Sequence, residues 1–435
     1  MKTASVGNRE SYLFIRRSPF LLPGVLLGII LTYMDYLIFI SALPAIVSIF
    51  HLSLGQETLL TDIFFSVAAI GAFVWGYISD KFGRKLAYMI MILVYAFGSL
   101  FTAFVVNFSQ LIGARSFGAF GTGGDAPTGN AIVAEEARPE KRSLVLIILA
   151  VGNVVGFAVG TGIVLLFLYL HIYVMYAFIV GFVPAFLVLF IRRYIDETSR
   201  YKDLKKGLKE ASEGKEIKTE FKHDITQAKR NPYSQLFSKG FRLTSVLVAI
   251  FTTIVAGIVA VSLIYFPIYF IDVKHLPLVT TVSFEFISYA LAGVGYVYTG
   301  LVGNRMGRRN IILINLFVAG LLMIGVLFSA VPSVLLIFYV LFIAVHYSQW
   351  AAWPFYVAET YPTRMRGTAS NYAYAFQWAG NVIFPTALLG LLTVTGFNWG
   401  LSLTAIVIVP LFVALAIVYP LRKSSPTAVL EENAI

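Results

Sequence analysis

Residues Gly113–Arg142 read GARSFGAFGTGGDAPTGNAIVAEEARPEKR. As a helix rising about 1.5 Å per residue, the run up to Glu135 is long enough to cross the roughly 30 Å hydrocarbon core of a bilayer. It is rich in small residues, yet Arg115 and Asp125 lie inside it, and it ends in a turn carrying Glu135 and Arg142. A charge in hydrocarbon costs several kcal/mol unless it is paired or faces water, so two in one span mark a functional site.

The remainder of the chain fits that setting. Of 435 residues 58% are hydrophobic and 13% charged, whereas a soluble domain is about half apolar and about a quarter charged. Long uninterrupted apolar runs exclude a barrel, whose strands alternate, and leave helices as the structures that satisfy their backbones in lipid. The net charge of +11 does not point to nucleic acid, because Lys and Arg gather in alternate loops, as in proteins that keep positive loops inside. There is no cysteine, which removes disulfides, thiolate catalysis and cysteine metal sites. The first apolar run lacks a small-residue cleavage site with a mature domain behind it and reads as a retained span.

Apolar segments near 19–45, 58–80, 86–106, 109–135, 143–168, 172–193, 243–271, 278–303, 309–330, 333–359, 367–394 and 398–421 predict twelve transmembrane helices. Basic residues precede the first span (Arg16, Arg17) and follow the second (Arg84, Lys85), fourth (Arg138, Arg142), eighth (Arg305, Arg308), tenth (Arg364, Arg366) and last (Arg422, Lys423). The intervening loops hold almost none, Lys274 excepted, so both termini are expected to be cytoplasmic. Residues 194–242 form a hydrophilic linker between an N-terminal six-helix bundle (1–193) and a C-terminal one (243–422), with a tail at 423–435.

The two bundles repeat each other. GYISDKFGRK from Gly76 matches GLVGNRMGRR from Gly300, and Ala134-Glu135 with Arg142 matches Ala358-Glu359 with Arg366; both pairs are offset by 224 residues. Two separate motifs sharing one offset predict an all-α membrane protein of two pseudo-symmetric six-helix bundles.

On these motifs the sequence resembles the major facilitator superfamily. GYISDKFGRK and GLVGNRMGRR are similar to its G-x-x-x-D-R/K-x-G-R/K-K/R loop signature, and Arg115-x-x-Gly118 lies in a stretch similar to its fourth-helix signature. Asp196-Glu197-Thr-Ser-Arg200 and Glu359-Thr-Tyr-Pro362-Thr-Arg364-Met-Arg366-Gly367 resemble sugar-porter loop motifs. Gly123-Gly124-Asp125-Ala126-Pro127 is similar to the G-G-D-Y-P segment of proton-coupled phosphate symporters, although the seventh span lacks their acid. Sugar porters carry paired glutamines on that span, also missing here, and no Gly-Pro signature of drug antiporters stands on the fifth. Within the superfamily the resemblance is to proton-coupled metabolite symporters.

Asp35 lies 18 residues past Arg17 and Arg115 lies 20 before Glu135, placing them about 27 and about 30 Å above the cytoplasmic side. Equal depth predicts a buried pair. By resemblance to sugar–proton symporters the pair couples protons: protonating Asp35 cancels its attraction to an arginine that stays charged and frees the helices to move. Asp125, about 15 Å up, is expected near the midplane, where such transporters bind substrate, and is a candidate to take the coupled proton or to bind a substrate hydroxyl or cation.

Cavity candidates follow helical spacing. His346, Gln349, Trp350 and Trp353 share one face of the tenth span; Tyr374, Gln377, Trp378 and Asn381 share one of the eleventh; Asn153 lies on the fifth span, Tyr265 and Tyr269 on the seventh. Helix packing is an equal reading for any one of them, and a lone His346 is more often a satisfied core residue. Asp62 and Glu285, near-equivalent in the repeat, are candidates for an outer gate or for solvated vestibule positions. Asp80, Arg84, Glu135, Arg142, Arg308, Glu359 and Arg366 are expected to form a cytoplasmic gate, since acids at span ends beside loop arginines can lock the bundles in one state. Gly152, Gly156 and Gly160 predict close helix packing. No metal cluster, P-loop or nucleophile–base pair is present.

The reading is a monomeric multi-pass transporter of the plasma membrane, not an enzyme, without a cofactor and driven by the proton gradient. Its partners are protons, lipid and a small polar solute taken up by symport. Arg115 and His346 favour an organic anion, with sugar next and phosphate third; proton-coupled drug antiport is the alternative mechanism. If Asp35 couples the proton, Asp35→Asn abolishes acid-driven accumulation in proteoliposomes and leaves solute exchange; unchanged accumulation removes Asp35 from that role.

Overall fold

The computed structural model describes residues 20–137, 141–184, 186–187, 196–213, 232–238, 240–361 and 363–421, with a few side chains inside those ranges excluded. All regular structure among them is helical. The first half holds α1 (Leu21–Phe50), α2 (Leu54–Phe82), α3 (Arg84–Thr102), α4 (Phe108–Glu136), α5 (Arg142–Tyr169) and a short α6 (Ala177–Val180). Two pieces of the linker follow, α7 (Ser199–Ser212) and α8 (Pro232–Leu236). The second half holds α9 (Arg242–Asp272), α10 (Leu278–Met306), α11 (Arg308–Phe328), α12 (Pro332–Tyr347), α13 (Trp353–Thr360), α14 (Thr363–Val394), α15 (Trp399–Leu403) and α16 (Val409–Val418).

Among the described residues ten helical segments are long and apolar enough to cross a membrane. The quoted stretch forms α4, which has the length but is too polar to join the ten. Of the span expected at 172–193, the structure describes a 3₁₀ turn, α6 and little more; residues 188–195 lie outside the described residues. The expected tenth and twelfth spans are each interrupted. A 3₁₀ turn at Ser348–Ala351 separates α12 from α13, whose second residue is Pro354, and a π turn at Thr404–Ile408 precedes Pro410 near the start of α16. Proline has no N–H to donate and its ring crowds the carbonyl four residues back, which weakens the helix at both points and accommodates the break.

The repeat reappears in the backbone. The α2–α3 and α10–α11 turns are closed by Gly83 (φ 113°) and Gly307 (φ 87°), conformations that only glycine takes without strain. At the other end of the bundles His51 after α1 (φ 49°) and His275 after α9 (φ 54°) are both left-handed. Each pair is again 224 residues apart.

Within the first half α5 lies directly on α1. A Cβ on Gly156 would stand 2.8 Å from the Tyr33 side chain and 3.1 Å from the Met34 nitrogen, and one on Gly160 would stand 3.0 Å from the Leu37 side chain. Lipid offers no hydrophobic gain on helix pairing, so such van der Waals approach is what holds the helices together. The halves meet along two seams, α2 with α14 and α5 with α10. Small residues thin both: Gly76 faces Asn371 and Gly300 faces Ile147.

Overfilling the α1–α5 contact is therefore destabilising. Gly156→Leu is expected to cost at least about 1–3 kcal/mol, read as a lower unfolding temperature in detergent, while Val155→Leu on the exposed face of the same helix leaves it unchanged.

Candidate functional site

Between the seams lies a closed chamber of about 30 Å³, room for a water or two. α1 supplies Tyr33 and Tyr36, α5 Asn153 and Phe157, α9 Ala256 and Val259, and α10 Tyr296. Tyr347 and Trp350 come from the end of α12 and the 3₁₀ turn, and α14 adds Tyr374, Gln377, Trp378 and Asn381 at i, i+3, i+4 and i+7. The lining is amide, phenol, indole and hydrocarbon, with no charged side chain.

Trp378 belongs to the second half but packs into the first. Its ring stacks on Phe65 (centroids 6.0 Å, planes 22° apart) and meets Tyr36 edge-on at 6.2 Å, while Nε1 donates to the Gly123 carbonyl at 3.4 Å. Asn130 on α4 donates to the Tyr374 hydroxyl at 3.3 Å. Toward the end where α1 meets α2, the hydroxyls of Thr58 and Tyr265 lie 2.8 Å apart and Thr386 donates to Asp62 at 2.6 Å. Every one of these contacts joins one half to the other. With the Gly76 and Gly300 seams at the opposite end, they leave the chamber shut on both sides.

The structure brings Asp35 and Arg115 together. Both are 1% exposed, with Nη2 3.6 Å from Oδ2. The rings of Phe39, Phe64 and Phe178 surround the guanidinium at 4.5, 5.1 and 5.3 Å from its carbon. Gly181 leaves room for this carboxylate, since a Cβ there would stand 2.5 Å from the Asp35 Oδ1. Asp125 lies in a separate place, buried and accepting from Thr32 at 2.9 Å, with its other oxygen lacking a hydrogen-bond partner. It is outside the lining but within electrostatic reach of Tyr33 and Tyr374, which belong to it.

Of the cavity candidates, Asn153, Trp350, Tyr374, Gln377, Trp378 and Asn381 line the chamber and five do not. His346 is turned to the Val255 carbonyl (3.3 Å), receives Gln349 on Nδ1 (3.2 Å) and stacks on Phe342. Trp353 donates to Thr252 at 2.9 Å and stacks on Tyr356. The break before Pro354 destroys the helical register that put His346, Gln349, Trp350 and Trp353 on one face. Tyr265 is used by Thr58, and Tyr269 packs on Trp399 with Lys274 over its ring. Neither of the two cations taken to favour an anion, Arg115 and His346, reaches the chamber.

Glu285 is buried at 1% exposure, which removes the solvated-vestibule reading for it, and Asp62 is partly buried. The side chains of Asp80, Glu135, Arg142, Glu359 and Arg366 lie outside the described residues, so the expected gate is seen only in part. Arg308 is 1% exposed, its Nη1 3.4 Å from the Gly300 carbonyl and its guanidinium over Phe355. The backbone N–H groups of Arg84 and Lys85 donate to the two oxygens of Glu197 at 3.1 and 3.3 Å. Glu197 was read from sequence only as part of a loop motif, with no partner assigned to it. A carboxylate on the positive end of α3 is its physical reason, and it ties the linker to the α2–α3 turn.

The sequence profile of the Major Facilitator Superfamily matches residues 25–348 and 287–434. The chain belongs to that superfamily. Among similar facilitators is a probable 4-methylmuconolactone transporter of Cupriavidus pinatubonensis, 24% identical over 78% of this chain and 76% of the relative. Another is the putative niacin/nicotinamide transporter NiaP of Bacillus subtilis, 22% identical over 83% of this chain and 85% of the relative. The fold is that of the proton:xylose symporter XylE bound to 6-bromo-6-deoxy-D-glucose, with TM-score 0.76 and 19% identity over 95% of this chain and 97% of that one. This facilitator is a multi-pass membrane transporter, not an enzyme.

Trp378 joins chamber wall and seam. In proteoliposomes Trp378→Ala is expected to raise the half-saturating solute concentration about tenfold, the equivalent of one lost aromatic contact of roughly 1.4 kcal/mol, whereas Trp378→Phe keeps most of the affinity.

Proposed function

We propose that this facilitator takes up a small ring-bearing organic acid together with a proton by alternating access, sugar ranking second and phosphate third. The observation that carries the reading is the neutral chamber lined by rings and amides, flanked by two buried carboxyls. Rings give such a solute apolar contact, and Asn153, Gln377 and Asn381 offer donors and acceptors without charge. A carboxylate in a chamber that holds no Lys, Arg or His needs its charge balanced from elsewhere. An entering proton does so, carried by the solute or by Asp125 beside it. The two relatives named above point to ring-bearing solutes: one is named for 4-methylmuconolactone, the other for niacin, a cyclic carboxylic acid, and its neutral amide nicotinamide. Adjacent amide and indole at Gln377 and Trp378 are also what a sugar ring uses, hence its second place.

Coupling falls to the acids on α1 and α4. Asp35 is held by Arg115, and neutralising it leaves the guanidinium without its partner, which changes how α1 sits on α4. With the proton outside in excess, loading both solute and proton favours closure of the outer face. Antiport of an apolar solute remains the second reading, because rings without charge suit it equally.

The test is uptake by purified protein in proteoliposomes from a panel of aromatic and cyclic carboxylates, sugars and phosphate. An outside-acid gradient is expected to drive accumulation of a cyclic carboxylate above equilibrium, with protons entering alongside. Accumulation driven by an inside-acid gradient establishes antiport instead, and sugar uptake without carboxylate uptake moves sugar to first place.

A further inference from the structure

The most deeply buried acid outside that scheme lies in the second bundle. Glu285 sits on α10, in the half opposite Asp35 and Asp125, and is 1% exposed. Its side of α10 is pressed against the first half. Phe286 fills the space over Gly162 of α5, where a Cβ would lie 3.1 Å from the ring. One turn on, Tyr289 meets Phe157 of α5 with centroids 5.6 Å apart. The Ser41 hydroxyl of α1 approaches the Glu285 carboxyl and is itself 3.0 Å from Thr161 of α5.

The titratable groups facing Glu285 are all phenols: Tyr289 on its own helix, and Tyr339 and Tyr347 on α12. α1 and α5 present the hydroxyls of Ser41 and Thr161, and α9 and α11 bring no acid or base to it among the described residues. No ion pair to Glu285 exists among the described residues, and its Oε1 has no hydrogen-bond partner. The setting thus differs from that of Asp35, which has an arginine 3.6 Å away. A carboxylate ion shut in such a place is not compensated by anything around it, whereas the neutral acid is tolerated.

We propose that Glu285 is a proton-binding carboxyl of the second bundle, holding its proton while α10 lies against α1 and α5 and exchanging it with water when that seam opens. Closing the seam requires the proton; opening it releases the requirement. The carboxyl thereby makes contact between the halves depend on protonation at a site remote from Asp35, and the inference rests on the alternating-access reading above.

Two measurements on Glu285→Gln test it. In solute exchange with equal pH on both sides, the wild-type rate is expected to fall by up to about tenfold per pH unit once the open-state carboxyl ionises, since one proton must be regained for each closure. The glutamine variant needs one proton fewer for each closure, so its decline with pH is shallower than that of wild type by up to about tenfold per pH unit; a decline matching wild type overturns the inference. Infrared spectroscopy of the purified protein gives a readout independent of transport. A protonated-carboxyl stretch, slow to shift in heavy water, is expected in wild type and in Asp125→Asn and missing from Glu285→Gln. Its presence in Glu285→Gln at full intensity overturns the inference, as does a marked loss of thermal stability, because glutamine is isosteric with the neutral acid. Failure of the transport reading shows differently, as absence of gradient-driven accumulation by wild type.

Discussion

Arg115 carries a charge that no biological pH removes, in a place water does not reach. Around it are three phenylalanine rings and one carboxylate, 3.6 Å away. Its nitrogens have no hydrogen-bond partner among the described residues. A pair so incompletely satisfied contributes little to stability, yet losing its acid strands a buried cation at about 3–5 kcal/mol. α1, α4 and the backbone at Gly181 are all committed to keeping Asp35 in position. The first bundle is arranged around this one contact, and a proton is the smallest agent that can dissolve it.

Among the described residues the second bundle shows no comparable ion pair at its centre. Position 259, the repeat equivalent of Asp35, is Val259, a plain wall of the chamber. What the second half provides is surface: Tyr374, Gln377, Trp378 and Asn381 along α14 face the solute space, and Trp378 reaches across to Phe65. Duplication has supplied two similar frames, of which one keeps the charge and the other most of the amides. Their contact along α2–α14 and α5–α10 combines close approach at small residues and single hydrogen bonds, each worth only about 1 kcal/mol, with a few aromatic contacts such as Phe65–Trp378 and Phe157–Tyr289.

Much of this was legible beforehand, for identifiable reasons. The Asp35–Arg115 meeting follows from counting residues to the charged ends of two spans, since helix rise is fixed. Gly83 and Gly307 are readable because a shared offset marks them and a tight turn needs glycine. The α14 face was readable because α14 runs unbroken through Gln377 and Asn381. The face containing His346 and Trp353 was not, because the helix breaks before Pro354, and no periodicity count includes the consequence for register. Tyr33, Tyr36, Phe157, Tyr296 and Tyr347 were passed over as lining residues: aromatic residues in a span point to lipid, core or cavity with equal ease, and only the assembled bundle decides. Tyr33 and Tyr36 did carry one signal, their position on either side of Asp35.

The interruptions ahead of Pro354 and Pro410 stand out because four other helices, α1, α4, α9 and α14, run unbroken past an internal proline (Pro44, Pro127, Pro267 and Pro385). The break before Pro354 sits at the chamber wall and carries Trp350 into it. That indole is therefore mounted at a natural bending point of the chain, not on a straight rod.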